Sequence, residues 1–207
     1  MSKLALVIAI VVLAGCGGSK PQEPPSGVSV VRPGAPGKPS RQVSAEELEE
    51  AETVKPIAQD ITFMRGMIHH HQQAVLMTGW VPPRTQSRAV KLMAERMSLT
   101  QTGEIEQYER WLSDRGFDPG HGHGATEPMP GMLTQAQLDR LKAAHGKAFD
   151  RLFLRYMTQH HRGAIAMVQE LYAEGGGTET EIGNFARHIE ADQEIEIKRM
   201  QEVLAGI

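Results

Sequence analysis

Two histidine pairs, His70-His71 and His160-His161, are each preceded by a methionine about one helical turn upstream, Met67 and Met157. Imidazole nitrogen and thioether sulfur together are the neutral donor set that suits copper, Cu(I) above all. The surrounding residues recur at a fixed offset. Phe63, Arg65, Met67, His70, His71, Ala74 and Met77 return ninety positions later as Phe153, Arg155, Met157, His160, His161, Ala164 and Met167. Ser44 and Leu48 match Thr134 and Leu138, and Asp60 matches Asp150. A Q-x-x-E-I stretch, Gln101, Glu104 and Ile105, returns after 92 positions as Gln193, Glu196 and Ile197. A two-residue change in one loop explains the shift of offset, since loops accept insertions that packed helices do not. One domain of two similar halves, 44–115 and 134–205, follows, with 116–133 as the segment between them.

The elements that must position these residues are helical. Ala, Leu, Glu, Gln, Arg and Met, all good helix formers, dominate long stretches; aromatic residues are only 5% and methionines number 11. Ser44 with Glu47 and Thr134 with Gln137 form capping boxes that open short helices. Long helices are predicted over about 56–78, stopped by Gly79 and Pro82-Pro83; 85–113; 147–174, stopped by Gly175 to Gly177; and 178–204. Four long helices with short connections inside each half read as a four-helix bundle of two duplicated helical hairpins.

Helical periodicity places Ile57, Ile61, Met64, Ile68, His71 and Val75 on one stripe, with Met67 at its edge and His70 on the flank. The matching stripe of the third long helix is Leu154, Thr158, His161, Ile165 and Val168. The second and fourth carry Met97, Gln101, Glu104, Tyr108 and Ile189, Gln193, Glu196, Met200. Every long helix therefore places polar side chains in the middle of its apolar face, which costs about one to several kcal/mol per unpartnered group. Either the histidines pair with Glu104, Glu196, Gln101 and Gln193 in a metal-free hydrogen-bonded layer, or the layer binds metal. Met64 and Met93 read as core filler. His121, His123, Met129 and Met132 put further donors on the central segment, as accessory ligands or as incidental residues of a solvated loop. His145 and His188 have no assigned role.

The first residues form an address. Lys3 gives a positive start, Leu4–Leu13 an apolar run too short to span a bilayer, and Leu13-Ala14-Gly15-Cys16 resembles the lipobox of a bacterial lipoprotein signal. Cys16, the only cysteine, is then the lipidation site, residues 1–16 the signal, and 17–43 a disordered Pro/Gly/Ser tether holding domain 44–207 off a membrane. An ordinary secretory leader is the alternative, and both export the chain. A net charge of −3 with interspersed signs offers no basic stripe for nucleic acid.

The M-x-x-H-H helices, the paired Q-x-x-E-I stretches, M-P-G-M before the second half and the lipoprotein leader together resemble the bacterial domain of unknown function 305 family, from about Ser44 to Leu204. The resemblance implies a ferritin-like helical bundle, exported and anchored to the cell envelope, with copper binding as in some members. Its recurrent positions fall on Met67, His70, His71, Met157, His160 and His161, and its second motif on Gln101, Glu104, Gln193 and Glu196. The pattern breaks at His69, where the second half has Gln159. The expected function is copper binding, buffering or delivery, Cu(I) favoured and another transition metal possible, with the donor or acceptor protein unidentified. The alternatives are a metal-free structural or interaction bundle and a ferritin-like di-metal oxidase built on Glu104, Glu196, His71 and His161. The oxidase is short of carboxylates, because Asp60 and Asp150 stand roughly 16 Å along the helix from the histidines.

Overall fold

The computed structural model of the 207-residue chain describes residues 30–32, 41–44, 55–120 and 129–207. Over these residues the domain is helical: α1 (Ala58–Gly79), α2 (Val81–Arg84), α3 (Arg88–Asp114), α4 (Gln135–Ala143), α5 (Gly146–Ala173) and α6 (Thr180–Ala205). The long helices α1, α3, α5 and α6 lie within three residues of the expected spans. None of the described helices is long and apolar enough to cross a membrane. The Thr134–Gln137 capping box opens α4 as expected, whereas its counterpart at Ser44 involves Glu47, outside the described residues, as are the signal segment with Cys16 and most of the tether.

Two local differences have plain causes. Pro82 and Pro83 do not merely end α1; they occupy the first turn of α2, where a missing N–H costs nothing. Inside the span expected to be unstructured, β1 (Val30–Arg32) pairs antiparallel with β2 (Arg41–Val43), Val30 opposite Val43, because β-branched valines favour the pleated backbone.

Packing runs α1 against α3, α5 against α6, and α1 against α5. Helix α1 is therefore covered on two sides and buries a wider face than a single stripe. Phe63, Met67, His70, Ala74 and Met77 are buried beside Met64, Ile68 and His71. His70 thus lies in the interior and not on the flank, and Ile57 at the expected stripe's start is exposed. In α5 the same widening buries Met157 and His160 beside Leu154 and His161.

Two apolar clusters result. One gathers Met77, Met93, Met97, Phe149, Phe153, Met157 and Met200; the other gathers Phe63, Met64, Met67, Tyr108, Trp111, Met167 and Ile189. Stacked rings of Phe149 and Phe153, 5.9 Å apart, anchor the first, and the edge contact of Tyr108 with Phe185 at 5.2 Å borders the second. Each fully buried side chain of this size contributes about 1.5–3 kcal/mol. Met64 and Met93 are core residues, as expected.

Asp60 fastens the start of α1 to the turn between α5 and α6. Its carboxylate accepts from the Ile57 N–H at 2.9 Å and from the Gly177 N–H at 2.7 Å. That turn relies on Gly175 and Gly177 at φ of 82° and 73°, a left-handed backbone that only glycine adopts without strain. Asp60→Ala leaves two backbone donors without their acceptor, and its expected cost is about 2–4 kcal/mol, read from urea unfolding. A loss under about 0.5 kcal/mol would show that the tie is dispensable.

Candidate metal centre

Four imidazoles cross the domain as a continuous row. His71 and His70 centroids are 6.5 Å apart, His70 and His160 are 3.8 Å apart, and His160 and His161 are 6.3 Å apart. All four side chains are fully buried. The pairs sit mid-helix in α1 and α5, so along each helix a histidine pair separates residues of one apolar cluster from residues of the other. Met67 belongs to one cluster and Met157 to the other.

The ring nitrogens are engaged unequally. His70 Nε2 donates to the Pro130 carbonyl at 3.0 Å, which leaves Nδ1 of the neutral ring as a bare lone pair without a protein partner. His161 Nε2 lies 2.7 Å from Glu196 Oε2, and its Nδ1 is likewise unpartnered. His71 Nε2 lies 2.8 Å from Glu104 Oε2, but off the ring N–H direction, so the pair meets on distance alone; its Nδ1 has no partner. Neither nitrogen of His160 has one. Burial, followed by the neighbouring His71, pushes His70 down to about 3, and burial followed by His70 holds His160 well below its ordinary value. Both are neutral near pH 7 and therefore keep a lone pair free for a metal.

The polar layer continues into α3 and α6. Gln101 is buried with both carboxamide atoms unpartnered, and buried Gln193 has an unpartnered Oε1. Nine of the eleven partnerless buried side-chain atoms among the described residues belong to these two glutamines and the four histidines. A closed hydrogen-bonded layer would have paired them with one another, so the protein groups alone do not complete this layer. Gln101, Gln193, Glu104 and Glu196 line a cleft of about 270 Å³ between α3 and α6. Among the described residues no three His, Cys, Asp or Glu side chains converge on one point. Asp60 is engaged in its tie, far from the row.

A structured segment after the undescribed stretch 121–128 covers the row from one side. Gln73 brackets Leu133, its Nε2 donating to the Leu133 carbonyl at 3.0 Å and its Oε1 accepting from the Leu133 N–H at 2.8 Å. On α5, Gly163 admits the backbone of Pro130 and Gly131: a Cβ at Gly131 would stand 2.6 Å from Gly163 Cα, and one at Gly163 would collide with the Pro130 carbonyl. Met129 and Met132 of this segment are half-buried, and His121 and His123 lie outside the described residues. Sequence reasoning missed Gln73, Pro130 and Gly163. The signal was a broken repeat, since Gln73 and Gly163 are equivalent positions of the two halves. His145 and His188 are exposed, which agrees with giving them no role.

Residues 60–204 match the sequence profile of the domain of unknown function DUF305. A DUF305 protein of Streptomyces coelicolor, described as secreted, is 31% identical, with a TM-score of 0.64 over 72% of this chain and 93% of that one. A DUF305 fragment from Deinococcus radiodurans is 30% identical, with a TM-score of 0.66 over 73% of this chain and 99% of that one. CopM in its Cu(I)-bound form is 26% identical, with a TM-score of 0.57 over 71% of this chain and 96% of that one. CopM has also been solved in Cu(II)-bound and Ag-bound forms. Among curated proteins, L153 of Acanthamoeba polyphaga mimivirus is 32% identical over 56 residues, 27% of this chain, and the chain spans 37% of that protein's length.

Two outcomes follow from the geometry. The unfolded chain takes protons on His70 and His160 near 6.5 while the folded chain does not, so the stability present above about pH 6.5 falls as pH drops toward about 3. The expected slope is up to about 1.4 kcal/mol per pH unit per histidine, measured by urea unfolding, and it flattens in His70→Gln/His160→Gln. An unchanged slope in that variant would rule out these groups as its source. Gly163→Ala, which would help an exposed helix by about 1 kcal/mol, here costs about 1–3 kcal/mol by prising off the covering segment; a thermal stabilisation would refute the contact.

Proposed function

The chain belongs to the DUF305 family, and we propose that it is an exported copper-binding protein that buffers the metal or hands it on through imidazole and thioether donors. The observation that carries this reading is the buried histidine row, in which His70 and His161 each hold Nε2 against a protein oxygen and leave Nδ1 without a partner, while His71 Nε2 meets Glu104 on distance alone. Metal-binding histidines are characteristically fixed this way, one ring nitrogen held by a carboxylate or backbone carbonyl and the other left for the metal. Met67, His70, His71, Met157, His160 and His161 are the proposed donors. Glu104 and Glu196 orient His71 and His161, supply countercharge and stand close enough to join a metal on rearrangement. Gln101 and Gln193 complete the polar surround, with His121, His123, Met129 and Met132 as accessory donors.

CopM, a relative solved with Cu(I), Cu(II) and silver, supports a copper or silver ion as cargo. Neutral thioether and imidazole donors favour Cu(I) without the thiolates that would make release slow. The domain is proposed as a ferritin-like four-helix bundle of two duplicated hairpins, with residues 1–16 as a lipoprotein signal, Cys16 as the lipid anchor and the chain held to the cell envelope. The Streptomyces coelicolor relative supports export.

The deciding experiment is anaerobic titration of the purified protein with Cu(I) against a competing chelator, with Zn(II) and Fe(II) alongside and bound metal counted by elemental analysis. Stoichiometric Cu(I) binding that is lost in His71→Ala/His161→Ala is expected. Met67→Leu/Met157→Leu lowers affinity with helix content unchanged, and Glu104→Ala/Glu196→Ala lowers it about ten- to a hundredfold. Equal affinity in the methionine variant would remove the thioethers from the site, and no retained metal of any kind would leave a metal-free, polar-cored bundle as the better account.

A further inference from the structure

The histidine row has no exposed atom of its own, so whatever reaches it must pass through a defined opening. On one side the way is closed by the 129–133 segment, bound to His70 through the Pro130 carbonyl, to Gln73 through Leu133, and fitted backbone to backbone on Gly163. On another side lies the cleft between α3 and α6. Its walls include Glu104 and Glu196, the two carboxylates beside His71 and His161, and the buried Gln101 and Gln193 with their unpartnered carboxamide atoms. These atoms give a partly dehydrated cation oxygen contacts between solvent and the imidazoles. At the rim, the half-exposed Arg96 reaches from α3 to α6 and places Nη2 3.3 Å from Glu196 Oε1, while the other oxygen of the same carboxylate faces His161. Arg199 and Asp192 complete the charged lining.

We infer that the α3/α6 cleft is the port through which a soft monovalent cation enters and leaves the histidine row, with Arg96 as its latch. This rests on the metal-binding reading above and adds the route and its control. A cation arriving at the cleft meets a guanidinium already paired with Glu196. Passage requires that pair to open, so Arg96 slows exchange through like-charge repulsion and by occupying the carboxylate. The other half has no such arginine: at the 92-residue offset Arg96 corresponds to His188, which is exposed. Arg199 lines the α6 wall, and the ion pair that must open is the one Arg96 makes with Glu196.

The test is stopped-flow uptake of Ag(I) and Cu(I) by the full-length protein, with equilibrium stoichiometry measured in parallel. Arg96 is half-exposed, so its variants are expected to fold, and circular dichroism verifies this. Arg96→Ala raises the association and dissociation rates about tenfold, and Arg96→Glu raises association further with a steeper fall at high salt. Stoichiometry stays as in the parent and remains dependent on His71 and His161. Gln101→Leu/Gln193→Leu, which makes the cleft floor apolar, slows uptake. Metal binding that depends on the histidines with rates indifferent to Arg96 and to the glutamines overturns the port and leaves the metal site standing. Faster uptake in Gly163→Ala alone would place the entrance at the 129–133 segment instead, and a protein that takes up no metal overturns both readings.

Discussion

Keeping four imidazoles in one buried layer is the constraint on which the rest of this fold depends. Each ring is dehydrated, each has at least one nitrogen without a protein partner, and two of them lie tilted against each other with centroids 3.8 Å apart. Such a layer is unfavourable by itself, and only large apolar burial on both sides can hold it together. The long helices supply that burial as two separate methionine- and aromatic-rich clusters, between which the histidines sit on α1 and α5. The carboxylates of α3 and α6 then reach the rings from the facing helices, and the Pro130 carbonyl reaches His70 from a loop. Methionine suits the surrounding space because its unbranched side chain fills irregular gaps without adding a strong hydrogen-bonding group.

Much of this was legible in the sequence because it obeys a period. The long helices, the Thr134 capping box and the polar residues inside the apolar faces of α3 and α6 follow from 3.6-residue spacing and the ninety-residue repeat. What the period could not show is the width of a buried face. A helix touching one neighbour buries one stripe; α1 touches both α3 and α5, so His70 and Met67 are as buried as His71. Nor could it show the 129–133 segment docking on the row, since backbone-to-backbone contact across Gly163 leaves no hydrophobic signature. The paired strands at Val30–Arg32 and Arg41–Val43 were hidden in a composition dominated by Pro, Gly and Ser, where a few valines carry little weight.

Matched positions of the sequence pattern pair like with like, and the breaks in that pattern account for the asymmetry. Symmetric positions supply the row and its carboxylates: His71 with Glu104, His161 with Glu196. At other equivalent positions the halves have specialised. Gln73 is a side chain that grips the backbone of Leu133, while Gly163 is an absence of side chain that makes room for Pro130 and Gly131. Both serve one covering segment, which a strictly symmetric dimer of hairpins could not accommodate on a single face. Gln159, which takes the place of His69 in the second half, donates from Nε2 to the Gly131 carbonyl at 3.4 Å.

Charge balance bears on the cargo the layer suits under the proposed function. Imidazole and thioether lone pairs bring a cation no negative charge, so a buried cation must be balanced by the nearest fixed anions, and the cost of leaving it uncompensated in a low-dielectric interior is several kcal/mol. Each half places one carboxylate against its own histidine, Glu104 on His71 and Glu196 on His161. Under that function each half offers one carboxylate toward a bound cation. The two carboxylates beside His71 and His161 thus bear on the charge of any cation bound there, and Arg96, which already pairs with Glu196, makes the two halves unequal in how readily that charge is offered.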